Sequence, residues 1–247
     1  MRQPALWIAV FLAVTSITAA AQRPSGTAPP DKEFSVAGPF VFEAGGTKPT
    51  YLDAFDDRPV VQSPNGRLGI TVTGPKESLE AWVTVAPSTF PGGSVQVWPL
   101  EASAAVLWRP DSGAWALTDD RYANASFVLV CGTDFRMGEN EPGLGVPITD
   151  LTPIVAEALD ARVQKYYGLG YYQTDIPLFY AYALRWIGND ELLVGVSARI
   201  VGPAKPPNRD QENWDLAYLV DVPNKKVIRE VTKAQLLTDY KIKVVDE

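Results

Sequence analysis

AVLWRPDSGAWALTDD, Ala105 to Asp120, sets two apolar runs on either side of Arg109-Pro110-Asp111-Ser112-Gly113. Pro, Asp, Ser and Gly are the residues from which tight turns are built. The stretch therefore predicts a β-hairpin with its corner at Ser112-Gly113. Two other stretches share its pattern: VVQSPNGRLGITVTG (60–74) and ALRWIGNDELLVGVS (183–197). Their corners fall at Asn65-Gly66 and Asn189-Asp190. Asn-Gly is the strongest short hairpin signal because both positions accept φ > 0, and Asn and Asp tolerate the left-handed region better than most residues.

The flanking segments add strands. LEAWVTVAPS (79–88) and SVQVWPL (94–100) follow the first hairpin, NASFVLVCGTD (124–134) follows the second, and NWDLAYLVDVPNKKVIREVT (213–232) follows the third. The first two corners lie 47 residues apart and the next gap is 76, widened by a helical insertion. Repeats of about 40–45 residues with four short strands mark propeller blades. On SPNG (63–66), RPDSG (109–113) and the closing hairpin around Pro223-Asn224-Lys225-Lys226, the chain resembles the TolB-type, WD40-like β-propeller repeat. The resemblance spans three copies; WIGND in the third lacks the proline. It implies about three blade-like antiparallel units, at about 51–100, 101–182 and 183–232. Closed propellers usually have at least four blades, so the expected fold is mainly β, an open or incomplete array, with a sandwich-like sheet pair as the alternative. FSVAGPFVFEAG (34–45) adds one or two strands. An open array leaves strand edges available for self-association.

The insertion, 150–168, is an amphipathic helix: Ile154, Val155, Ala158, Leu159 and Val163 recur at helical spacing, with Tyr166 and Tyr167 extending the stripe. Thr152 before Pro153 is the expected N-cap, and Gly168 the stop. TKAQLLTDY (232–240) is a candidate for a second short helix.

MRQPALWIAVFLAVTSITAAA (1–21) has the order of a secretory signal peptide, with cleavage expected after Ala21. Gln22 to Lys32, rich in proline and poor in apolar residues, reads as a flexible tether, leaving 33–247 as a single β-rich domain. The expected location is secreted or periplasmic in a bacterium, without membrane insertion after cleavage. The net charge of −7 becomes −8 without Arg2. That balance, with no basic patch, argues against nucleic acid and anionic lipid as partners.

The chain has no histidine and one cysteine. The absence of histidine removes the Ser-His-Asp triad, the Cys-His pair and His-ligated zinc. Cys131, inside FVLVCG, reads as a buried structural thiol rather than a nucleophile. No cofactor is implied. Three acidic groups remain: Asp53 to Asp57, Asp119-Asp120, and Asp134, Glu139 and Glu141. The last three offer the oxygen ligands that calcium takes, but none of the groups has EF-hand spacing, and the expectation is no metal. Carboxylate catalysis on a glycosidic bond, which needs two acids in one cleft, is the enzymatic reading left open.

Aromatics supply the binding candidates. Tyr171 and Tyr172 follow the Gly168–Gly170 break and are the expected exposed pair, whereas Phe179, Tyr180 and Tyr182 are expected to pack the helix on the sheet. The loop 201–215 contributes Arg209, Asp210 and Trp214. Trp108 and Trp186, each just before a corner, are expected in the core, as are Trp82, Trp98 and Trp115. The functional expectation is an exported, non-catalytic module binding a protein, peptide or glycan. A carboxylate-dependent hydrolase on carbohydrate and an envelope assembly factor are the alternatives.

Overall fold

Hairpins form at all three expected corners and organise the molecule into antiparallel meanders. The computed structural model describes residues 38–43, 47–53, 58–75, 81–88, 93–122, 125–134, 136–137, 144–167, 175–201 and 213–245. Strands β1 (Phe40–Phe42) and β2 (Thr50–Asp53) lead in. A four-stranded meander follows: β3 (Val61–Gln62), β4 (Leu68–Thr73), β5 (Ala81–Pro87) and β6 (Val95–Leu100). Next come β7 (Ser103–Trp108), β8 (Ala114–Tyr122), β9 (Ala125–Gly132), the short pair β10 (Arg136–Met137) and β11 (Leu144–Gly145), and β12 (Ile148–Asp150), which pairs with β9. Helix α1 (Thr152–Tyr167) connects to the last meander: β13 (Asp175–Ile187), β14 (Glu191–Val201), β15 (Asn213–Asp221) and β16 (Lys226–Val231). Helix α2 (Lys233–Tyr240) and β17 (Ile242–Val244), which pairs with β1, end the chain.

The protein is mainly β, and its described strands close no barrel. Strands β16-β15-β14-β13-β9-β8-β7-β2 form one sheet in that order. Its seam is a short parallel contact in which Phe179 and Tyr180 face Ala125 and Ser126. Strand β2, which falls at the start of the first expected unit, pairs with β7 rather than with the β3–β6 sheet.

Three apolar clusters separate the layers. Between the β3–β6 sheet and one face of β7–β9 lie Ile70, Val83, Val106, Trp115, Leu129 and Cys131. The opposite face of β7–β9 contributes Leu107, Ala116, Val128 and Val130 to a cluster with α1 and β13–β15. On the far face of β13–β15, Tyr182, Leu184, Leu193 and Leu219 pack against Phe40, Leu236, Tyr240 and Ile242. Strands covered on both faces carry near-continuous apolar runs, which is why FVLVCG and ELLVGV do not alternate.

The first two corners are the same structure. Ser63 N–H donates to Leu68 O at 2.8 Å and Gly66 N–H to Ser63 O at 2.8 Å; Arg109 N–H donates to Ala114 O at 2.9 Å and Ser112 N–H to Arg109 O at 2.9 Å. In each, an Asx side chain accepts from the backbone two residues on: Asn65 Oδ1 from Arg67 N–H and Asp111 Oδ1 from Gly113 N–H. Only one residue per corner adopts a positive φ: Gly66 at 68°, Ser112 at 65° and, in the third, Gly188 at 63°. This corrects the expectation of left-handed Asn65, Asn189 and Asp190. In the first two corners the four-residue loop needs its positive φ only at the residue closing the turn; in the third the positive φ falls on Gly188, the first residue after the Ile187–Glu191 pair.

The corners also touch. Asn65 N–H donates to Ser112 Oγ at 3.1 Å, and Arg109 Nη1 donates to Asn189 O at 3.0 Å. Behind them, Trp108 Nε1 donates to Val61 O and Trp186 Nε1 to Leu107 O, both at 3.1 Å. Val61 and Leu107 stand at matching positions, two residues before Ser63 and Arg109. The same tryptophan bridge thus links each meander to its predecessor.

Helix α1 buries Val155, Leu159 and Val163 as the spacing requires. Its start differs from expectation: Asp150 Oδ1 accepts the Thr152 N–H at 2.8 Å, while Thr152 Oγ1 accepts from Val128 N–H at 2.9 Å. Thr152 ties the helix to β9, and Asp150 performs the capping. Helix α2 has a full capping box between Thr232 and Gln235.

Candidate functional site

Ser197 and Asp215 are the polar interruptions in two apolar strands, LLVGVSA and LAYLV with its leading Asp. Register explains them. Tyr180 on β13 faces Ser197 on β14, which faces Asp215 on β15. Residues directly opposite share a sheet face, so an aromatic ring, a hydroxyl and a carboxylate form one row. Ser197 Oγ donates to Asp215 Oδ1 at 2.7 Å, and Lys233 Nζ, from the start of α2, lies 3.9 Å from Asp215 Oδ2. The Asp215 side chain is 8% exposed; a carboxylate that deep persists because it is hydrogen-bonded and charge-paired.

The row borders a cleft of about 240 Å³ lined by Gly38, Pro39, Tyr180, Tyr182, Ser197, Asp215 and Val245. Tyr180 and Tyr182, two apart on β13, stack with ring centroids 6.4 Å apart and planes at 18°. Phe40 meets Tyr182 edge-on at 6.0 Å. Gly38 holds φ +54°, and a Cβ there would sit 2.6 Å from the Tyr182 phenol oxygen, so only glycine lets the chain close this wall.

The cleft is equipped to hold a polar, flat-faced molecule. It offers tyrosine surface together with phenol, hydroxyl and carboxylate groups. The Asp215 carboxylate accepts from the serine hydroxyl and so orients it. Cys131 is buried, and burial pushes its thiol well above the ordinary range, which fits the expected structural thiol.

The structure divides the sequence-derived candidates. Trp214 precedes Asp215 but packs against the opposite cluster, its ring 5.2 Å from Tyr166 and 5.6 Å from the Arg162 guanidinium. Tyr171, Tyr172, Arg209, Asp210, Glu139 and Glu141 lie outside the described residues. Phe179 packs on the α1 side, whereas Tyr180 and Tyr182 face away from the helix. That corrects the expectation that all three pack the helix: neighbours on a strand point to alternate faces.

Two of the three acidic groups meet. Asp53 on β2 and Asp120 on β8 flank Ser103 of β7 in a single cross-strand row. Tyr51 Oη donates to Asp53 Oδ2 at 3.0 Å, and burial raises the Asp120 carboxyl above its ordinary pKa. Asp119, fully buried, points the other way and accepts from Trp98 Nε1 at 2.7 Å. Asp134 is exposed beyond the end of β9. Among the described residues, no three His, Cys, Asp or Glu side chains gather as a metal site, and no helix is long and apolar enough to cross a membrane.

Compared with known proteins, the chain matches no family model, no curated protein and no solved structure.

Proposed function

We propose that this protein is an exported, non-catalytic binding module of TolB-like repeats, and that the Tyr180–Ser197–Asp215 row binds a sugar residue of a glycan. The observation that carries this reading is the stacked tyrosine pair beside a hydrogen-bonded serine–carboxylate pair in one cleft. Tyrosine rings give a ligand large apolar area at low entropic cost while keeping a polar tip. Carboxylate and hydroxyl groups accept from and donate to ring hydroxyls, and charged partners make the stronger bonds. The signal-peptide-like sequence 1–21 and the proline-rich stretch 22–32 support export. The recurring corners and tryptophan bridges support the propeller-like repeat.

A glycan panel titrated against the full chain tests the reading. A bound oligosaccharide is expected to lose at least about tenfold in affinity, roughly 1.4 kcal/mol, in both Tyr180→Ala and Asp215→Asn. No binding across the panel, or binding that both variants retain, contradicts it. One observation favours a hydrolase as the second reading: Asp53 and Asp120 share a row, and the raised pKa of Asp120 suits a general acid. Reducing ends released in the same incubations, and lost in Asp120→Asn, would select hydrolysis over binding.

A further inference from the structure

We infer that the cleft between the β7–β8 corner and the end of β13 is a second site, which binds a small planar carboxylate with Arg185 as its counter-ion. The cleft has a volume of about 220 Å³ and is lined by Thr47, Leu107, Trp108, Pro110, Arg185 and Trp186. None of these side chains is acidic, on a chain of net charge −7. Both indole N–H groups are spent on backbone carbonyls, Trp108 on Val61 and Trp186 on Leu107. What the tryptophans present to the cleft is therefore aromatic surface, and with Pro110 it favours a flat apolar body.

Two arginines flank Trp186, and they differ. Arg109 is matched: Nε and Nη2 donate to Asp111 at 2.6 and 2.9 Å, Nη1 to Asn189 O, and its Cζ lies 6.0 Å from the Trp186 ring centroid. Arg185 has its Nε buried with no acceptor among the described residues. A buried guanidinium N–H without an acceptor is unfavourable. The Nε is out of a ligand's reach, but a carboxylate in the cleft can match the outer nitrogens of the same, partly exposed guanidinium with two parallel bonds. No residue lines both this cleft and the tyrosine cleft.

Phenylacetate and its neutral isostere phenylacetamide, titrated separately against the full chain by saturation-transfer NMR and calorimetry, test the assignment. Phenylacetate is expected to bind at least about tenfold more tightly than the amide. Arg185→Met is expected to abolish that preference, and Arg185→Lys, which keeps the charge, to retain it at weaker affinity. The comparison of acid with amide on the unaltered chain stands even if Arg185→Met fails to fold. Equal binding of the two probes, no binding of phenylacetate at about 10 mM, where a ligand of millimolar Kd saturates, or an undiminished preference in Arg185→Met would overturn the site.

Discussion

Replacing Trp186 with alanine is expected to destabilise the protein by about 3–5 kcal/mol, the usual range for emptying a buried tryptophan position. The side chain is 6% exposed and packs in the cluster shared by β7–β9, α1 and β13–β15. Its indole is also the only donor that side chain has, and it is committed to Leu107 O across the seam between two meanders. Truncation removes packing on both sides of that seam and leaves the carbonyl short of a partner. Against a total of about 5–15 kcal/mol for an ordinary domain, such a loss brings unfolding within reach of mild denaturant. Trp186→Phe separates the two contributions. It keeps most of the aromatic volume and removes only the bond, so about 1–2 kcal/mol is expected. Urea unfolding followed by circular dichroism measures both. An alanine variant within about 0.5 kcal/mol of the parent, the range of surface changes, would mean that Trp186 does not join the layers.

Gly195→Ala is expected to cost about 1–3 kcal/mol, in the overpacking range, although alanine restricts the unfolded chain and is ordinarily the more stable choice where its conformation fits. Gly195 has no positive φ; what it supplies is space. A Cβ there would lie 2.6 Å from Phe40 Cε2 and 2.8 Å from Leu184 Cδ1, and both of those side chains are fully buried. Strand β14 is held between β13 and β15 and has no room to retreat, so the strain falls on the three-residue β1 and its partner β17. Phe40→Leu in the same chain shortens the offending side chain and is expected to recover most of the loss, a coupling that a double-mutant cycle resolves. An alanine variant as stable as the parent would place Phe40 somewhere other than over Gly195.

Local chemistry was legible in the sequence wherever a short stretch contained its own explanation. SPNG and RPDSG specify the corners because turn residues act on their immediate backbone. Even there the positive φ falls on Ser112 rather than Gly113. Gly113 has no positive φ, and a Cβ there would meet only the flexible ends of the Arg109–Asp111 pair, 3.2 Å from both carboxylate oxygens. The α1 stripe and the short helix near 232–240 were readable for the same reason. Register was not. Tyr180, Ser197 and Asp215 are 17 and 18 residues apart along the chain and meet only because β13, β14 and β15 pair as they do, with a bulge between Ala183 and Arg185. The polar Ser197 and Asp215 inside apolar runs were the available signal. The pairing of β2 with β7 and the parallel seam between β9 and β13 depend on non-local contacts to which no local pattern points.

Indole N–H cross-peaks in a nuclear Overhauser spectrum of the ¹⁵N-labelled full chain test the layered arrangement most directly. The Trp108 indole proton is expected to show contacts with the Val61–Gln62 backbone, and the Trp186 indole proton with the Leu107–Trp108 backbone. Indole protons that see only their own hairpins, or that exchange freely with solvent, would contradict meanders joined face to face through these two tryptophans.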